Sequence, residues 1–302
     1  MATAALLLML VPLLLAGAVA ALLVAMSSRG SDPGATRSET AVAARRHAAQ
    51  VLAAAWLVLV TAVLLAPLTI AVPTGLGAGV AIALTPAAAG VLFLGVLAVG
   101  ELTWPRPRGA LRTAPLVRRT VADVAPGALR RILWAWALLL LVTLVACGLV
   151  AADDGRAFET VMTDAQGVVV PGRRSGPFPG WFYGRPLLGA TAVVVAATEG
   201  VLRLIARRPA VANAPDGFDG GLRRVSAART LRGAQLVLGL TLVGVLAVGG
   251  MVLRQHDVVV GWPMLVLAAA VGVVTLVVAL IPVAAPAVAV GEPALGPDSA
   301  PA

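Results

Sequence analysis

Glu199 and Arg203 are the residues of this chain whose type and spacing come nearest to chemistry. An acid four residues before a base lies on the same helix face, in the order that favours pairing. Residues 186–198 just before them carry no ionised side chain once Pro186 is passed and read as the body of a membrane-crossing helix. If that helix ends near Arg207, Glu199 sits about two turns inside it, roughly 12 Å from the end. A carboxylate at that depth is costly, and it marks a solute pathway or proton relay unless a counter-ion neutralises it. Arg203 is the expected counter-ion, its stem carrying the guanidinium towards the interface. Glu101 closes an earlier apolar stretch, and Gln235 and Thr198 are further polar groups expected inside apolar segments. Glu199, Arg203, Glu101 and Gln235 are therefore the candidate intramembrane polar site.

Other chemistry finds no residues. His47 and His256 are expected on opposite faces of the membrane, and the one cysteine, Cys147, lies within an apolar run, so no metal-ligand set assembles. No serine occupies a nucleophile-elbow motif, and no phosphate-binding or dinucleotide glycine pattern follows a plausible strand. No catalytic, cofactor-binding or metal-binding residue is assigned, and no cofactor is expected.

The elements that must position these residues are written in hydropathy. Of 302 residues, 60% are hydrophobic and 12% are charged. That is about half the charge of an ordinary soluble domain, too little to cover a water-facing surface. The expected fold is all-α: a polytopic bundle of seven transmembrane spans. They fall near 5–26, 49–72, 78–100, 132–151, 186–206, 233–253 and 261–281, making one transmembrane domain over residues 1–283 with a disordered cytoplasmic tail at 284–302. Residues 51–100 contain no charge, yet one helix of that length would reach about 75 Å. Pro73, Gly75 and Gly77 supply the break between spans 2 and 3. No arginine precedes span 1, while Arg29, Arg37, Arg45 and Arg46 follow it, which favours a retained anchor over a cleaved signal.

All 23 basic residues are Arg, a bias that a GC-rich genome would produce. With span 5 in place, 18 of them fall in loops 27–50, 101–131 and 203–232 on one side, and 5 on the other; without it the split is 12 to 11. The uneven split is the signature of cytoplasmic retention of basic loops, so the N-terminus is expected outside and the C-terminus in the cytoplasm. The same reasoning assigns the net charge of +9 to topology rather than to nucleic acid. Trp104, Trp134 and Trp136 are expected at the cytoplasmic interface, and Trp181, Phe182, Tyr183 and Trp262 at the outer one.

In the outer loop 152–185, residues 158–163 and 168–170 are expected to form a hairpin around Asp164–Gly167, with the aromatics at 181–183 resting on the membrane. Residues 115–124 suggest a short helix lying on anionic lipid. The arginines of loop 203–232 are expected to be solvated or lipid-facing. Glu101 and Glu199 each precede an Arg-rich loop and another span, a pattern a duplicated hairpin would leave. GVLAVG recurs at 95–100 and 244–249. Glycines spaced by five turn about 140° net per step, so they spiral around the helix and serve close approach in several directions.

Residues 100–107, GELTWPRP, and 177–183, PFPGWFY, resemble segments of uncharacterised multi-pass membrane proteins of GC-rich Gram-positive bacteria. The resemblance implies a plasma-membrane location and brings no activity and no site residues. Three function classes follow. The first is a non-enzymatic membrane component or subunit acting with a membrane or cytoplasmic protein partner. The second is a small-solute or proton-coupled transporter using Glu199, which requires a wet cavity lined by Glu199, Thr198 or Gln235. The third is an intramembrane enzyme, which requires acids or hydroxyls facing a lipid-accessible pocket.

Overall fold

The computed structural model describes residues 37–70, 77–104, 119–163, 169–211 and 217–281. Seven helices and one hairpin fill them: α1 (Arg37–Ile70), α2 (Gly77–Leu102), α3 (Val121–Val124), α4 (Gly127–Val150), β1 (Phe158–Thr163), β2 (Val169–Ser175), α5 (Trp181–Arg207), α6 (Phe218–Gln255) and α7 (Gly261–Leu280). Six of these helices are long and apolar enough to cross a membrane. They coincide with expected spans 2 to 7, span 5 included. Expected span 1, residues 71–76 of the break, residues 115–118 of the expected short helix and the tail 284–302 lie outside the described residues; of the remainder of that short helix, Val121–Val124 is helical as α3.

Each helix buries a stripe set by the helical repeat. In α4 the buried positions are Leu133, Ala137, Leu140, Leu144 and Cys147, while Trp134, Leu138, Leu141, Val142 and Leu149 are exposed. Large apolar side chains on the outside are what a hydrocarbon solvent permits and water does not. α6 differs, being buried around most of its circumference. It touches every other helix, whereas α1 packs chiefly on α2 and α7 on α6. α6 is the axis of the bundle.

Two helices overrun the expected spans. α1 has 34 residues and α6 has 38, about 51 and 57 Å at 1.5 Å per residue. Both exceed the ~30 Å hydrocarbon core. The excess lies at the N-terminus of each, within segments expected to be loops because they carry arginine. Charge does not stop a helix; it only takes the helix out of lipid. Ala41 and Ala44 of α1, Trp104 after α2, and Phe218 and Leu222 of α6 form a small apolar cluster there. We call this the basic end.

The opposite end carries the hairpin. β1 and β2 pair antiparallel, Phe158 opposite Ser175 and Thr163 opposite Val169, with a bulge between Glu159 and Val161. The expected hairpin is present, with its second strand extended to Ser175. Asp154 anchors its base: the carboxylate accepts the Arg156 backbone N–H at 3.1 Å and Nε at 2.8 Å, and pairs with Arg174. Those bonds favour the ionised form and hold its pKa down to about 2, below its ordinary 3.8, against the opposing effect of partial desolvation.

The five-spaced glycines do spiral into several contacts. A side chain at Gly90 would strike Val237, at Gly100 Val51, at Gly239 Thr275, and at Gly249 Met264 and Pro179, whereas Gly95 and Gly244 face open space. α2 and α6 interlock reciprocally: Gly90 receives Val237, and Gly233 receives Phe93. Phe93 is fully buried and lies against Trp56, 5.3 Å between ring centroids, so it has nowhere to retreat.

Gly233→Val is therefore expected to overpack the α2–α6 seam and cost about 1–3 kcal/mol. Gly95→Ala should be neutral or stabilising by up to about 1 kcal/mol. Thermal unfolding of the two variants in one detergent, followed by tryptophan fluorescence, checks the contrast. The Asp154 anchor should also loosen in acid. Its pKa is lowered by folding, so its contribution is complete above pH 3.8 and disappears as pH falls through about 2. Hydrogen exchange of the peptide spanning 152–163 should rise over that window in the native chain relative to Asp154→Asn, which should lack the step.

Candidate functional site

The sequence-nominated polar residues all lie towards the basic end, and the structure ties most of them into bonds between helices. Glu199 is 7% exposed, but Arg203 is not its partner. Arg130, in the first turn of α4, donates from Nε to Oε1 at 2.9 Å and from a terminal nitrogen to Oε2 at 3.1 Å. Arg203 is exposed and makes no ion pair among the described residues. The interhelical pair wins because a two-pronged contact between planar groups is stronger than a flexible pair along one helix. It also staples α4 to α5.

Glu101 takes Arg208, which lies just beyond α5. One terminal nitrogen of Arg208 reaches both carboxylate oxygens, at 3.3 and 3.2 Å. The guanidinium lies over the Trp104 ring, 3.9 Å from its centroid, and His47 of α1 meets the same ring edge-on at 5.3 Å. Trp104, expected as an interfacial anchor, is thus buried as the floor of an ion pair. The His47 Nε2–H donates to the Gly100 carbonyl at 3.0 Å, closing the last turn of α2. A small cavity of about 20 Å³ beside His47, Glu101 and Arg229 has room for about one water.

Gln235 is fully buried. Its oxygen accepts the Trp136 indole N–H at 3.3 Å, and its nitrogen donates to the Thr275 carbonyl at 3.2 Å, so one amide joins α4, α6 and α7. Trp136, also expected at the interface, serves this bridge. Thr198 is buried and turns its hydroxyl back to the Val194 carbonyl at 2.7 Å.

Sequence reasoning missed the most connected residue. Arg223, in the segment expected to be a solvated loop, is 1% exposed. It donates to the carbonyls of Ile205 at 2.5 Å, Ala206 at 3.1 Å and Arg208 at 2.7 Å, and to Asp219 at 2.9 Å. Asp219 also holds Arg119 at 2.9 Å. A helix ends with carbonyls that have no partner of their own, and Arg223 satisfies those of α5. Arg173 does the same for the Gln255 carbonyl at the end of α6, at 2.8 Å, and Arg232 for the Ile281 carbonyl after α7. The legible signal was Asp219 four residues before Arg223; nothing local indicated the carbonyls.

The larger cavity, about 330 Å³, lies elsewhere, towards the hairpin end between α2, α5 and α6. None of Glu199, Arg203, Glu101, Gln235 or Thr198 lines it. Its hydroxyls are those of Thr241, which is bonded back to the Val237 carbonyl at 2.8 Å, and Tyr183. The aromatics at 181–183 begin α5: Trp181 fills the notch at Gly148 and Tyr183 lies beside Gly79. Among the described residues no cluster of three His, Cys, Asp or Glu side chains could hold a metal ion.

No protein family, curated protein or solved structure matches this chain.

The Glu199–Arg130 pair yields a double-mutant expectation. Arg130→Ala leaves a buried carboxylate without its partner and should cost about 1–3 kcal/mol, Arg130 itself being partly solvated. The double variant Arg130→Met/Glu199→Met should recover most of that loss, because well-packed apolar side chains can replace an ion pair. Unfolding midpoints of the single and double variants in the same detergent check it. Arg203→Ala should leave the midpoint unchanged.

Proposed function

We propose that this chain is a non-enzymatic component of a bacterial plasma membrane, with its basic end in the cytoplasm, and that it acts through a protein partner bound there. The observation that carries this reading is the use already made of the candidate polar site. Glu199, Glu101 and Gln235 are engaged in bonds between helices, and none lines the large cavity. A transporter would hold such groups towards a wet path, and an enzyme towards a pocket. Glu199 fixed by two bonds to Arg130 does neither.

The basic end, by contrast, offers charge with no internal use. Arg46, Arg131, Arg203, Arg207 and Arg224 are exposed and make no ion pair among the described residues. They stand on helices anchored by the Arg223 and Arg208 contacts, so their spacing is held by the fold. A rigid array of guanidinium groups fits an acidic protein surface, where complementarity sets partner choice and association rate. The arginine bias between the two ends supports the cytoplasmic orientation.

Copurification from native membranes in mild detergent tests the proposal. An associated protein should be recovered at low salt and released at high salt. Reversing charge in the triple variant Arg131→Glu/Arg203→Glu/Arg224→Glu should weaken recovery by at least about tenfold, a loss of about 1.4 kcal/mol. Recovery of the chain alone at low salt would overturn the reading. So would proton-coupled flux in proteoliposomes that Glu199→Gln abolishes, a result that would establish the transport alternative.

A further inference from the structure

We infer that the cavity between α2, α5 and α6 is a binding site for one acyl chain of a membrane lipid, entered sideways from the leaflet at the hairpin end. The site does not depend on the partner proposed above.

The first argument is which solvent can reach it. From the hairpin face the cavity is roofed by Pro177, Phe178 and Pro179. That roof is fixed: Phe178 is fully buried, its N–H donates to the Arg156 carbonyl at 2.8 Å, and its ring lies 5.5 Å from Phe158. On the flank, Ile82 of α2 is 53% exposed and Leu240 of α6 is 43% exposed, and Gly244 between the helices faces open space. The mouth therefore opens between two membrane-crossing helices, towards lipid rather than water. Gly244 keeps it open, since any side chain there would project into the entrance.

The second argument is chemistry and size. The walls are apolar, and an apolar cavity stays dry but accepts hydrocarbon. Its volume of about 330 Å³ lies within the range of small-molecule sites. It runs alongside residues 240–248 of α6, about 12 Å of helix. One leaflet of a ~30 Å hydrocarbon core is about 15 Å deep. The cavity is as long as most of one leaflet's chain, and a chain standing in its normal orientation enters without bending.

The third argument is polarity at one end. The Tyr183 hydroxyl is part of the wall beside Gly79, near the hairpin-end terminus of α2, and makes no hydrogen bond among the described residues. Tyr183 is half-buried, and a phenol O–H that faces hydrocarbon rather than water is short of an acceptor. The ester carbonyl of a lipid whose chain fills the cavity supplies one at that depth. Tyr183 is thus a binding residue, with Ile82, Leu240 and Gly244 forming the gate.

The test uses the purified full-length chain in nanodiscs of phosphatidylglycerol and phosphatidylcholine, doped with phosphatidylglycerol carrying a diazirine on one acyl chain. After photolysis, adducts are mapped by peptide mass spectrometry. They should concentrate on residues 79–86 and 240–248, above the level on the exposed α7 face at 273–277. Gly244→Trp, whose Cβ meets nothing within 4 Å and whose ring plugs the mouth, should lower cavity adducts to that α7 level and leave α7 labelling unchanged. Ala83→Leu, filling the space from α2, should do the same. Tyr183→Phe should weaken retention about fivefold, as expected for one lost hydrogen bond. Equal labelling of α7 and the cavity walls, or cavity labelling indifferent to both Gly244→Trp and Ala83→Leu, would show ordinary boundary lipid and overturn the proposal.

Discussion

The carbonyls at the ends of the helices are the constraint on which this architecture depends. A helix leaves its last turn of C=O groups without partners of its own, and at both ends of this bundle another element comes close enough to supply them. Three helices here answer with a guanidinium from another element: Arg223 on α5, Arg173 on the end of α6 and Arg232 beyond α7. The negative end of a helix favours a cation, and a guanidinium has five N–H groups in a fixed fork. Arg223 reaches three carbonyls and a carboxylate at once. A lysine could not span that set. The all-arginine composition has a mutational explanation, yet at these positions the fork geometry is used.

Those caps divide the bundle into two unlike halves. At the basic end, ion pairs, a cation over an indole and a bridging amide tie several neighbouring helices together. Towards the hairpin end the contacts between α2, α5 and α6 are apolar and partly incomplete, the polar bonds there being those of the hairpin itself. Between Val60 and Ala66, α1 has no buried residue, and the large cavity opens at that level. Polar bonds specify partner and register more sharply than methyl packing does, so the basic half defines the arrangement and the hairpin half accommodates it. A site for an apolar guest belongs in the second half, where filling space disturbs no hydrogen bond.

Much of this was legible in the sequence. Twenty-residue apolar runs located six helices because span length follows from bilayer thickness, and the arginine count correctly retained the short, interrupted fifth one. The hairpin was legible from β-branched residues flanking a turn. The limits of the helices were not. Hydropathy reads where lipid ends, and α1 and α6 continue as helices past that boundary. Glu199 is buried and paired, but its partner was assigned by sequence distance. Arg130 lies 69 residues away, and only the packing of α4 on α5 brings it near. Trp104 and Trp136 misled for a related reason. An indole can sit at an interface facing lipid or face inward as a floor or a donor, and its sequence position does not distinguish the two. Arg223 was invisible because its acceptors are backbone atoms, which every residue has.

The unbroken length of α6 has a consequence for how this chain can change over time. Its first turn is pinned through Asp219 and Arg223, and its last carbonyl through Arg173 of the hairpin. Adding or removing a single residue between Arg223 and Gly233 would rotate everything beyond it by about 100°, withdrawing Gly233 from Phe93, Gly239 from Thr275 and Gln255 from its cap together. Side chains along this rod can be exchanged one at a time, but its residue count cannot drift. Insertions are left to the turns, and the spacing from Asp219 to Gln255 becomes a ruler by which distant descendants of the same ancestor could be recognised after their side chains have diverged.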